Sequence, residues 1–147
     1  MSTRCNVILT DEVNDPTKEQ LLDACKGTLK GFLVLYHHSD GYPSNIMPML
    51  KKFVSWIGTR IRDNASQSIG WLILMEKEGG DEPIGDDINV YGWKASQFEP
   101  TTCIHEDIEY LYVVNMVKKT IKVYFPLRDE NYNIRGFKKE LPHARTT

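Results

Sequence analysis

Seven consecutive residues, His37-His38-Ser39-Asp40-Gly41-Tyr42-Pro43, place two imidazoles, a hydroxyl, a carboxylate and a phenol in one short stretch. Imidazole is the side chain that ordinarily changes charge between pH 5 and 8, so such a stretch can grip an anion in a pH-dependent way. The stretch falls between an apolar run and an amphipathic segment, at a strand-to-helix turn, a common ligand position in mixed folds. Amides at the helix start near Ser44–Met47 would add a positive pole for a phosphate. Arg60 and Arg62, at the far end of that helix, form a reserve pair, and Tyr42, Trp56, Trp71 and Trp93 offer stacking surfaces for a base. The candidate ligand-binding set is therefore His37, His38, Ser39, Asp40, Gly41, Tyr42, Arg60, Arg62 and Trp93. The plainer reading is that Ser39 and Asp40 bond turn amides while Gly41-Tyr42-Pro43 shapes the chain.

Other chemistries are weaker. His37 or His38 with Asp40, His105 and Glu106 or Asp107 would suit zinc or manganese by ligand type. Adjacent strand residues point to opposite faces, however, so one of the two histidines at most would belong to such a site. Cys5, Cys25 and Cys103 are an odd set without a CxxC, indicating neither a disulfide framework nor a zinc knuckle. Ser39 sits in no GxSxG elbow, and Cys103 neighbours His105 in sequence only. The acidic stretch 76–89 matches no EF-hand spacing. No motif identifies a reaction, a cofactor, a catalytic residue or a metal site.

The elements that position these residues follow from periodicity. Phe32–Tyr36 is a continuous apolar run, expected as a buried central strand. Apolar residues at 46, 49, 50, 53 and 57 define one face of a helix over about 45–58, capped by Ser44 or Asn45 with Pro48 in its first turn. A second helix over about 64–77 opens with a capping-box spacing, Asn64 to Gln67, and its Gly70 suggests a close backbone approach. Arg4–Thr10 reads as a strand, and Lys18–Lys26 as a short helix capped by Thr17. Residues 76–89 read as a mobile acidic loop, and Val90–Phe98 as a strand around Trp93. Asp107–Asn115 and Lys119–Phe125 form a hairpin joined by residues 116–118, with Ile108, Tyr110, Tyr112 and Val114 on one face and Lys122 marking a wet one. From Pro126 the chain reads as a basic tail, with Ile134–Leu141 pairing weakly at a sheet edge. The sum is a single α+β domain, 1–147, with two helices packed on one face of a mostly antiparallel sheet.

Residues 1–117 carry ten Lys/Arg against seventeen Asp/Glu, and residues 118–147 eight against three. An acidic body argues against duplex nucleic acid as a partner. No apolar run is long enough to span a bilayer, and no signal core opens the chain, so the expected location is the cytoplasm. The chain also resembles a set of small uncharacterised bacteriophage and prophage proteins, whose signature is similar to Tyr-Arg-His-x-Asp-Gly-Tyr-Pro followed by a Gly-Asp-Ile-Glu-Tyr-x-Tyr strand. YHHSDGYP, RDNASQSIGWLI and EPTTCIHEDIEYLY carry the likeness over roughly residues 31–124, with His37 where an arginine is usual and Glu106 where a glycine is. The resemblance implies a viral protein in the host cytoplasm and supplies no activity. The expected function is an accessory protein acting by binding, for instance a host-defence antagonist or a sequestrant of a nucleotide signal. The expected partner is a host protein or a small nucleotide ligand, and a homo-oligomer is compatible with the sequence. The alternative is a metal-dependent phosphodiesterase or nuclease acting on a nucleotide.

Overall fold

Cys5–Thr10 forms a strand, β1, in which all six residues are buried. It is buried on both faces because it lies inside a six-stranded sheet, between β2 (Phe32–His37), its antiparallel neighbour, and β4 (Tyr110–Asn115), its parallel one. The computed structural model describes residues 3–27, 29–76 and 97–140. The remaining elements are α1 (Lys18–Ala24), α2 (Pro43–Trp56), α3 (Ala65–Glu76), β3 (Phe98–Thr101), β5 (Thr120–Arg128) and β6 (Ile134–Lys139). The strand order is β3-β2-β1-β4-β5-β6, antiparallel except for the β1–β4 pair. The α+β class and the mostly antiparallel sheet agree with expectation, whereas β2, expected at the centre, lies one strand from the edge.

Period-two alternation divides the sheet's residues between two apolar layers. On one face Val7, Leu9, Leu35, Tyr112 and Val114 meet Ile46, Leu50 and Phe53 of α2 and Leu72 and Met75 of α3. The second face was expected to be wet around Lys122. Instead Ile8, Val34, Tyr36, Leu111, Val113 and Phe137 pack there with Leu21 and Ala24 of α1 and with Ile104 and Ile108. The two helices expected on one face, α2 and α3, share it, and the expected short helix, α1, closes the second face. Its capping box is complete: Gln20 N–H donates to Thr17 Oγ1 at 3.1 Å, and Thr17 N–H to Gln20 Oε1 at 2.9 Å.

The helix after β2 starts two residues early, because Pro43 at N1 supplies a helical φ and Tyr42 becomes the cap. Asn64 caps α3 as its spacing implied, accepting from Gln67 N–H at 3.1 Å, and Asp11 accepts from Ala65 N–H at 2.8 Å. Gly70 has open space where a Cβ would stand, so no backbone among the described residues approaches it. Ile108 precedes β4 and joins the second layer, leaving the face it was expected to share with Tyr112. The expected basic tail is in part sheet: β5 runs through Pro126 to Arg128 and pairs with β6 across an irregularity at Leu127/Arg128. Residues 77–89 of the acidic loop, most of the strand around Trp93, and 141–147 lie outside the described residues. Among the described residues no helix is long and apolar enough to cross a membrane.

Candidate functional site

The β2 strand ends by sending its two histidines to different surroundings. His37 is 1% exposed, with its ring edge-on to Phe98 at 4.7 Å between centroids. Among the described residues neither ring nitrogen has a hydrogen-bond partner. Glu76 Oε2 stands 3.7 Å from Nε2, beyond hydrogen-bond distance yet near enough to favour the imidazolium. Burial outweighs that charge and holds the His37 pKa below its usual value, so the ring is neutral at pH 7. A ligand in solvent does not reach it.

His38 turns outward instead. Its Nε2 lies 2.7 Å from Glu99 Oε1, and both side chains are more than half exposed. Its ring also meets Tyr36 edge-on at 4.7 Å, and His105 stacks on the same Tyr36 ring at 3.8 Å. The Tyr36 hydroxyl donates to Asp107 at 2.9 and 3.0 Å to its two oxygens, and Arg4 Nε lies 3.3 Å from Asp107 Oδ2. Burial, reinforced by the Asp107 hydrogen bond and charge, pushes the Tyr36 hydroxyl up to about 12.

Sheet register builds this patch. Tyr36 pairs with Asn6 on one side and Glu99 on the other, so the three stand in one row across β1, β2 and β3. Asn6 Oδ1 then accepts from the His105 backbone N–H at 2.8 Å and pins the loop after β3. Thr101 Oγ1, 2.9 Å from His105 Nε2, fixes the ring itself. The result is an open face bearing two imidazoles, a guanidinium and two carboxylates over a buried phenol.

The rest of the anticipated turn is used structurally. Ser39 Oγ donates to Gln97. Asp40 takes a left-handed φ of 54°, and its carbonyl accepts from the Asn45 side chain at 2.7 Å. Gly41 is buried against β1, donating to Thr3 O at 2.9 Å and accepting from the Tyr112 hydroxyl at 2.6 Å. Tyr42 is 44% exposed and makes no side-chain cap bond. At the start of α2, Pro43 has no N–H, and the Asn45 and Ile46 amides both donate to Tyr42 O, so the expected anion pole is largely occupied. Arg60 and Arg62 lie beyond the other end of α2, and Trp93 lies outside the described residues.

Of the anticipated set, only His38 joins the patch. Tyr36 and Arg4 carry no sequence signal as site residues, although Tyr36 alternates with His37 along β2 and so had to face the other way. Glu99, His105 and Asp107 stand out in the chain as a polar stretch, with His105 and Asp107 also of metal-ligand type. Among the described residues no three His, Cys, Asp or Glu side chains stand together as a metal ion would require. A separate open groove of about 360 Å³, lined by Asn45, Pro48, Met49, Lys52, Met75 and Glu76, runs between α2 and α3.

Fold and patch together define an α+β sheet protein with a polar, imidazole-bearing face at the β1–β2–β3 end. Comparison with protein families, curated proteins and solved structures gave no match.

Proposed function

We propose that this protein is a small phage accessory protein that acts by binding, and that the patch around Tyr36 receives a nucleotide-like ligand. The observation that supports this reading is the convergence of His38 and His105 on one buried tyrosine, with Arg4 beside them. His38 and Arg4 are the cations a phosphate would meet. Glu99 and Asp107 are acceptors suited to ribose hydroxyls, a role carboxylates take in nucleotide sites. The side chains hold one another in place before any ligand arrives, which lowers the ordering cost of binding. Nothing on the patch resembles an activated nucleophile, which favours sequestration over turnover.

The test is a thermal-shift screen of linear and cyclic nucleotides at pH 6 and pH 8. A ligand at a hundred times its Kd would stabilise the fold by about 2.7 kcal/mol. A stabilisation larger at pH 6 than at pH 8 would point to an imidazolium among the contacts. Stabilisation should be lost in His38→Ala and Arg4→Gln. No shift with any nucleotide at either pH removes the ligand reading of the patch. Elemental analysis decides the metal-dependent phosphodiesterase alternative: stoichiometric zinc or manganese, lost in a His38→Ala/His105→Ala double variant, would replace binding with catalysis.

A further inference from the structure

A second surface with its own chemistry lies at the C-terminal end of α2, about 20 Å along the helix from Pro43. Trp56 is the last residue of α2 and is half-buried. The Arg60 guanidinium carbon and Lys52 Nζ each lie 5.2 Å from its ring centroid. Gly58, with φ +82°, reverses the chain, and Lys119 Nζ stands 3.4 Å from where a Gly58 Cβ would be. The β4–β5 turn therefore adds its cations to those of the α2 end. Lys51, Arg62 and Lys118 lie one or two residues from these in the chain, and all six basic side chains are exposed.

Neither segment dilutes this charge. There is no Asp or Glu from Lys51 to Arg62, nor from Tyr110 to Arg128. Lys51, Arg60, Arg62, Lys118 and Lys119 form no ion pair among the described residues. Among the described residues the carboxylates near these cations include Asp63, next in the chain, Asp15, which is bonded to Lys122 and Asn115, and Glu76, which lines the α2–α3 groove with Lys52. Cations beside a helix C-terminus often serve as caps. Here the Trp56 carbonyl already accepts from the Thr59, Arg60 and Ile61 amides at 2.9–3.0 Å and from the Thr59 hydroxyl at 3.1 Å. The fold has no need of Arg60 or Lys119 for that purpose.

We propose that this end of the molecule binds single-stranded nucleic acid, with phosphates on Arg60, Lys119 and the flanking cations and a base against the Trp56–Arg60 pair. A planar guanidinium over an indole rewards a flat ring, which an acidic peptide does not supply. A duplex would bring the acidic remainder of residues 1–117 against a second strand of phosphates. The surface is separate from the nucleotide patch and stands whether or not that patch binds anything.

The experiment is fluorescence anisotropy of labelled twelve-residue oligo-dT and oligo-U with the full chain, over a salt series. Binding should weaken with salt, and Arg60→Gln/Lys119→Gln should reduce affinity about tenfold or more while lowering the log–log salt slope by about 1.4, two phosphates' worth. Arg60→Lys should restore the slope but not the full affinity, since charge returns without the planar stack. His38→Ala, at the other patch, should leave oligonucleotide binding unchanged. Absence of binding at low salt, or a double variant that binds like wild type with unaltered circular dichroism, overturns the proposal. Equal binding of a polyglutamate of the same length overturns it in favour of an acidic protein partner.

Discussion

At the scale of single residues, His37 and His38 show how one peptide bond separates a structural imidazole from an available one. His37 is held neutral by burial, and among the described residues neither ring nitrogen makes a hydrogen bond, although the Glu76 carboxylate stands near Nε2. Its folded pKa lies below the ordinary 6.5, so the unfolded chain binds more protons in the window just under pH 6.5. Stability from this residue is therefore complete above that pH and is lost as pH falls through the native value. His37→Phe should abolish this slope and leave stability at pH 7 unchanged or raised by about 1 kcal/mol, since two unsatisfied buried atoms disappear. Urea melts from pH 5 to pH 8 decide the matter; a clear loss at pH 7 would mean the imidazole has a partner. Asp15 acts in a lower window. Burial pushes its carboxyl up, but hydrogen bonds from Lys122 and Asn115 and the charges of Lys122 and Lys118 bring it below 3.8. At this scale the site was half legible. The clustering of residue types in His37–Pro43 is visible in the chain, but the partners that give His38 its setting, Glu99 and Asp107, come from more than sixty residues away. No local pattern carries that information.

The elements were far more legible, because periodicity and caps are local. The apolar stripe of α2 lands on the core as Ile46, Leu50 and Phe53, each fully buried. The Asn64 cap, the Thr17 cap and the late hairpin also follow from local pattern alone. Failures occurred where two elements meet: the buried second face, the flank position of β2, and the path of β5 past Pro126 are decided by long-range pairing. The turn between β2 and α2 is the clearest case. Gly41 is required there by contact, since an added Cβ would stand 3.0 Å from Cys5 Cβ and 3.1 Å from the Arg4 carbonyl carbon and the Cys5 nitrogen. Backbone neighbours inside a sheet cannot yield, so Gly41→Ala should cost about 1–3 kcal/mol. Chemical denaturation measures this directly. A cost under half a kilocalorie would mean the turn floats over β1 and does not clamp α2 to it.

For the molecule as a whole, the decisive contact is the parallel register of residues 5–10 against 110–115. It makes the N-terminal strand the interior of the sheet, with β4 supplying one of its two edges. A fragment of residues 1–76 should therefore show no cooperative unfolding transition, whereas the full chain should show one. Circular dichroism melts of both separate the outcomes, and a cooperative fragment would make the β1–β2 pair with its helices an autonomous unit. The same register also imposes a timetable on synthesis. β1 leaves the ribosome about 100 residues ahead of its parallel partner, on the order of 5–20 s earlier at ordinary elongation rates. Throughout that interval one hydrogen-bonding edge of a strand whose six residues are all buried in the finished fold stands uncovered. Nascent chains of this protein should thus depend on holding factors or rapid translation, although the finished sheet hides that edge completely.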